Sequence, residues 1–108
     1  MKSTRTRRKT VRGKTKTLPY DVAEQLQTPQ EMAAYLDAWL TDYPEDSAGI
    51  ARALGDVARA AGMAQLARET GLSRESLYTA LSDSGNPSLD TVLRVAKALG
   101  LRLRAAAA

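Results

Sequence analysis

The chain has 108 residues, a formal net charge of +4 and neither Cys nor His. That length suffices for one small domain. The missing residue types exclude disulfides, thiolate metal sites and Cys nucleophiles and remove the commonest general base and metal ligand, so no catalytic residue, metal site or cofactor is expected.

Residues 1–17 carry Lys2, Arg5, Arg7, Arg8, Lys9, Arg12, Lys14 and Lys16 and no acid, with Val11 nearly alone among apolar residues. Such a segment cannot build a core and reads as a disordered basic tail. It is either a solvated terminus or a contact for nucleic acid or an acidic partner. Residues 18–104 form the expected folded domain, with 105–108 a short C-terminal tail. Beyond the tail the balance reverses: from residue 18 onward eight cations face twelve acids. No apolar run approaches the roughly 20 residues that span a bilayer, and the basic start lacks the apolar stretch of a secretory signal. A cytoplasmic protein with no membrane partner is expected.

The palette is Leu, Val, Ile, Met and Ala with Trp39 and the tyrosines, and no Phe, which suits helices better than strands. Asp21 can cap a short first helix carrying Val22, Ala23 and Leu26. Thr28-Pro29-Gln30-Glu31 reads as a capping box with proline at the first helical position. The helix behind it aligns Met32, Tyr35, Leu36, Trp39 and Leu40 on one face, and Tyr43-Pro44 ends it. Trp39 reads as core or, with Tyr35 and Tyr43, as an aromatic patch for a partner. Asp37, Asp42, Glu45 and Asp46 cluster around the Tyr43-Pro44 turn, as a solvated face or a contact for a basic partner. Asp46 or Ser47 caps the next helix, which turns Ile50, Ala53, Leu54, Val57, Ala58 and Ala61 inward; Gly55 allows close helix packing, and Gly62 breaks the chain.

Two short helices follow, Met63–Thr70 and Arg74–Leu81, split by Gly71-Leu72-Ser73. The segment 82–87 is a loop by composition. Ser88 caps a last helix with Leu89, Val92, Leu93, Ala96 and Leu99 inward, stopped by Gly100. Leu101 and Leu103 alternate with Arg102 and Arg104, which suits a short strand. The whole reads as an all-α domain of five to six short helices.

Residues 63–81 have the features of a helix-turn-helix. Two short helices that cross closely need a small residue, supplied by Ala67, and a turn residue that tolerates positive φ, supplied by Gly71. Leu66, Leu72, Leu77 and Ala80 then point to a shared core, and Ser73 caps the second helix. Its outer face is Ser73, Arg74, Glu75, Ser76, Tyr78 and Thr79. In this motif that face enters the major groove of double-stranded DNA. Arg74 suits guanine O6 and N7, Glu75 suits cytosine N4, and the hydroxyls suit bases or phosphates. The plainer alternative is two ordinary helices with a polar outside. Leu99, Leu101 and Leu103 are candidates for a homodimer contact or simply close the monomer core.

The stretch from Ala53 through Gly62-Met63-Ala64-Gln65-Leu66-Ala67-Arg68-Glu69-Thr70-Gly71-Leu72-Ser73-Arg74-Glu75-Ser76-Leu77-Tyr78 resembles the addiction-module antidote proteins. These are HigA-like antitoxins with an Xre, or lambda-repressor-type, helix-turn-helix. Asp21-Val22-Ala23, Ala33-Ala34-Tyr35-Leu36, Gly85-Asn86-Pro87-Ser88 and Ala98-Leu99-Gly100-Leu101 carry the resemblance across about residues 18–104. It implies a dimeric antitoxin that neutralises a toxin of the RelE/ParE superfamily by direct binding and represses its own operon at an operator. The alternatives are a stand-alone Xre-type regulator with no toxin partner, and a toxin binder in which the motif is only a scaffold. One departure stands out: Ala64 occupies a position where the family often has Ser, so the first motif helix lacks a side-chain cap unless Gly62 substitutes.

Overall fold

The computed structural model describes residues 24–82 and 84–108. The basic tail 1–17 and the expected cap and apolar residues Asp21, Val22 and Ala23 lie outside the described residues. Among the described residues, behind the helical pair Glu24 and Gln25, five helices follow in order: α1 Pro29–Asp42, α2 Ser47–Ala61, α3 Met63–Thr70, α4 Arg74–Ala80 and α5 Leu89–Ala98. The fold is all-helical, with no strand among the described residues.

Local chemistry sets most of the boundaries. Thr28 accepts from the Glu31 amide while Glu31 Oε1 accepts from the Thr28 amide, closing the capping box in front of Pro29. Asp46 caps α2 through the Gly49 amide at 2.9 Å. Ser73 and Ser88 cap α4 and α5 in the same way. Gly62 ends α2 and begins α3 with no side-chain cap, as the Ala64 departure implies. At the far end of α5 the Leu101 amide reaches back to the Ala96 carbonyl at 2.8 Å, with Gly100 at φ 79°. This tight stop turns Leu101 onto the core.

The core joins Leu26, Met32, Leu54, Val57, Ala58, Met63, Leu66, Leu77, Leu81, Val95 and Leu99. Every helix contributes to it. α1 packs on α2, and α3 packs on α2, α4 and α5, so α3 is the hub that holds α4 in place. Gly55 lets α2 approach the end of α4: a Cβ there would stand 2.6 Å from the Leu81 carbonyl oxygen. That is closer than any real side chain tolerates, which explains a glycine in mid-helix despite its cost of about 1 kcal/mol.

Four expectations fail, each for a tertiary reason. Ala61, expected inward, is exposed as the last residue of α2, where Gly62 turns the chain away. Leu89 and Leu93, expected inward, are 68% and 48% exposed. α5 meets the rest of the molecule chiefly through Val92, Val95, Ala96 and Leu99, which leaves the shoulder bearing these two leucines without a close neighbour among the described residues. Leu40 is also exposed, because α1 contacts only α2 closely and its wide apolar stripe overhangs the contact. Residues 101–104 form no strand, because no strand exists among the described residues for them to pair with.

A polar tie fastens α1 to α2. The Tyr35 hydroxyl donates to Asp56 Oδ2 at 2.7 Å, and Arg59 holds Asp56 Oδ1 at 2.9 Å. Burial pushes the Tyr35 phenol well above the usual tyrosine range, and the hydrogen bond and negative charge of Asp56 add to it. Trp39 is half-buried. Its ring tilts against Tyr43 at 5.2 Å between centroids, and the Arg52 guanidinium lies 5.7 Å from its centre.

Candidate nucleic-acid interface

The α3–α4 unit is assembled from buried anchors and a locked turn. Leu66 is 2% exposed and Leu77 fully buried, and Ala67, Leu72 and Ala80 pack partly buried against them. Gly71 takes the left-handed conformation at φ 78°, and its amide bonds the Ala67 carbonyl. An L-residue at that position is strained, so glycine is the natural occupant. Ser73 then turns the chain into α4, its hydroxyl accepting from the Ser76 amide at 2.9 Å.

Two residues that hold this turn carry no obvious sequence signal. Thr70 is buried, and its hydroxyl donates to the Leu66 carbonyl at 2.7 Å and accepts from the Leu72 amide at 3.2 Å. One side chain therefore ties the last turn of α3 to the chain leaving it. Arg94, reaching from α5, donates to the Thr70 carbonyl at 3.1 Å and pairs with Asp90 at 3.0 Å. A cation at the end of a helix also answers its partial negative charge. The only sequence hint is a hydroxyl residue directly before the turn glycine, a position where side-chain bonding back to the helix is common. Leu81, fully buried at the end of α4, is the third residue outside the expected motif core.

With the inner face of α4 buried, Ser73, Arg74, Glu75, Ser76, Tyr78 and Thr79 all lie on its exposed side. The structure divides them. Ser73 is engaged as the cap, and its hydroxyl also donates to Ser76 Oγ at 2.9 Å. Among the described residues Arg74, Glu75, Tyr78 and the Thr79 hydroxyl have no side-chain partner. A fork of donors, a carboxylate, a phenol and a hydroxyl are thus presented on a short helix whose orientation is set elsewhere. These are the groups that discriminate base edges when offered in pairs at fixed spacing. The expected dimer leucines are placed differently from one another: Leu99 is buried at 7% exposure, Leu101 is half-buried against the core, and Leu103 is 49% exposed.

Charge is segregated along the chain. Residues 24–61, covering α1 and α2, hold seven carboxylates and two arginines, whereas residues 62–108 hold six cations and four carboxylates. The half containing α4 is mildly basic although the domain as a whole is acidic. Among the described residues no cluster of carboxylates is placed to hold a metal ion, and no helix is long and apolar enough to cross a membrane.

A family model described as "Probable addiction module antidote protein" matches residues 16–107, all five helices included. An uncharacterized protein of Haemophilus influenzae is 47% identical over 85 residues, covering 79% of this chain and 86% of that protein. No solved structure matches the chain.

Proposed function

The chain belongs to the addiction module antidote family, and on that premise we propose that it is a DNA-binding antitoxin of a type II toxin–antitoxin module, acting in the cytoplasm. In this reading it represses its own operon by setting α4 into the major groove of an operator. It also neutralises a RelE/ParE-type toxin by direct binding. Its work is recognition, not catalysis.

The observation that carries the DNA half is the set of side chains on α4 that have no partner among the described residues. Arg74 offers two parallel N–H groups to guanine, Glu75 accepts from cytosine, and Tyr78 and Thr79 reach base edges or phosphates. The Thr70–Gly71–Ser73 turn holds these groups still before binding, so little ordering is required on contact. The charge segregation supports two partners. A phosphate backbone meets the basic half, with the Lys/Arg-rich segment 1–17 available for further phosphates. A toxin that grips RNA is expected to be basic, and it suits the acidic half around Asp42, Glu45 and Asp46. Reading a palindromic operator requires two α4 helices about 34 Å apart, hence a homodimer. Of Leu99, Leu101 and Leu103, Leu103 has the open surface to take part in it.

The test is fluorescence anisotropy with duplex DNA from upstream of the protein's own gene, across a salt series. Wild type binds, and binding falls steeply with salt as phosphate counterions are released. Arg74→Ala weakens binding by about tenfold or more, the value of one bidentate base contact, while stability moves by less than about 0.5 kcal/mol, as at other exposed sites. Failure of the wild type to bind at low salt removes the DNA half of the reading and leaves a toxin binder. Unfolding of Arg74→Ala would show that this side chain supports the fold instead of facing a groove.

A further inference from the structure

Leu89 and Leu93 stand one turn apart on the outer shoulder of α5 and are the most exposed leucines of that helix, at 68% and 48%. The monomer does not use them: α5 enters the core chiefly through Val92, Val95, Ala96 and Leu99. On the helical wheel Leu89, Leu93, Lys97 and Asp90 fall within a sector of about 100°. The apolar pair is therefore bordered on one edge by an acid near the start of the helix and a cation near its end. Asp90 lies three residues before Leu93 and Lys97 four after, which puts the two charges roughly 4.5 and 6 Å to either side of it along the axis. Asp90 is paired within the chain to Arg94. Among the described residues Lys97 has no ion-pair partner.

This arrangement is self-complementary in one orientation. Laid antiparallel about a two-fold axis near Leu93, two α5 helices bring Leu93 against Leu93 and Leu89 against the aliphatic stem of Lys97. Each Lys97 then lies beside Asp90 of the other copy, with both pairs on the same edge of the contact. A parallel arrangement puts the charged edges of the two copies on opposite sides of the contact, where Asp90 and Lys97 of different copies cannot pair. A two-fold interface requires one patch to match itself in this reciprocal way. We propose that the α5 shoulder is the homodimer interface of this protein, occupied by a second copy packed antiparallel, with Leu89 and Leu93 at its centre and reciprocal Asp90–Lys97 pairs at its edge.

The proposal deepens the dimer named in the proposed function, and its test does not depend on DNA. Sedimentation equilibrium of the full chain shows a reversible dimer for wild type. Leu93→Glu, at an exposed position that leaves the fold intact by circular dichroism, weakens dimerisation by about tenfold or more, as expected for a central interface side chain. Asp90→Lys and Lys97→Glu each weaken it, and the Asp90→Lys/Lys97→Glu double variant recovers most of the loss. Any harm to α5 itself is not rescued by the second change, so recovery reports contact between copies.

A monomeric wild type overturns the proposal, as does a dimer unaffected by Leu93→Glu or a double variant weaker than either single one. A monomeric wild type whose Leu93→Glu form loses a protein partner overturns it too, in favour of that partner. Arg74→Ala keeps the dimer, so a failure of DNA reading registers separately.

Discussion

The two halves of this small domain are held together by different means. Residues 62–108 rest on buried leucines and on polar groups turned toward the backbone: Leu66, Leu77 and Leu81 beneath, with Thr70 and Arg94 closing the α3–α4 turn. Residues 24–61 share that core but add a side-chain tie, Tyr35–Asp56–Arg59, with Trp39 half-buried under Arg52. In the first case the fold is fixed by groups pointing inward, so the outward side chains of α4 are left free to bind. In the second, outward-reaching polar groups are themselves part of the packing, and the acidic surface around them is what remains for a partner. Such a division suits the two partners of opposite charge proposed above.

The largest effect should come from removing the anchor both halves share. Leu77→Ala is expected to destabilise by about 2–5 kcal/mol, as deletion of a fully buried leucine does, and urea unfolding measures it. If the loss is small, α4 is not seated by the core, and the comparison breaks. Gly55→Ala drives a methyl group toward the Leu81 carbonyl and is expected to cost about 1–3 kcal/mol. Because that carbonyl ends α4, the same variant should weaken DNA binding beyond its effect on stability. Normal binding by a folded Gly55→Ala protein would mean that α2 does not position α4.

Thr70→Val keeps the shape and removes the hydroxyl that accepts from Leu72, leaving a polar group short of its partner at a cost of about 1–3 kcal/mol. Thermal melts give that loss, and amide exchange at Leu72 should rise selectively. Tyr35→Phe is expected to be mildest, about 0.5–1.5 kcal/mol, the usual net value of one hydrogen bond. Its signature is pH dependence. The folded phenol ionises above its unfolded value, so the contribution of Tyr35 is complete below about pH 10. It is lost as pH rises through the folded value. The stability gap between wild type and Tyr35→Phe should therefore be flat near neutrality and narrow above about pH 10; a gap already closing at neutral pH would show that Tyr35 is not sequestered.

Much of the candidate site is legible in the sequence because it rests on near neighbours. Ser73, Gly71 and the register of Leu66, Leu72 and Leu77 lie within a dozen residues, and each obeys a local rule of caps, positive φ or helical period. The outward face of α4 follows by subtraction. Thr70 and Arg94 are not legible in the same way, since one acts through a backbone bond any threonine can make and the other arrives from 24 residues away. The division of hydroxyls, with Ser73 and Ser76 occupied and Thr79 free, also needs coordinates.

α5 marks the limit most clearly. Leu89, Val92, Leu93, Ala96 and Leu99 all satisfy the apolar period, and nothing in that period distinguishes those that meet a neighbour from those that do not. The sequence by itself determined that these segments are helices, where they begin and end, and which face of α4 is polar. Capping bonds and helical periodicity act over about four residues, and the chain carries them wherever it goes. Only the tertiary structure decided that α5 docks chiefly through Val92, Val95, Ala96 and Leu99 and leaves Leu89 and Leu93 in water. Burial is a property of the partner surface as much as of the side chain, and that surface exists only once α2, α3 and α5 have come together.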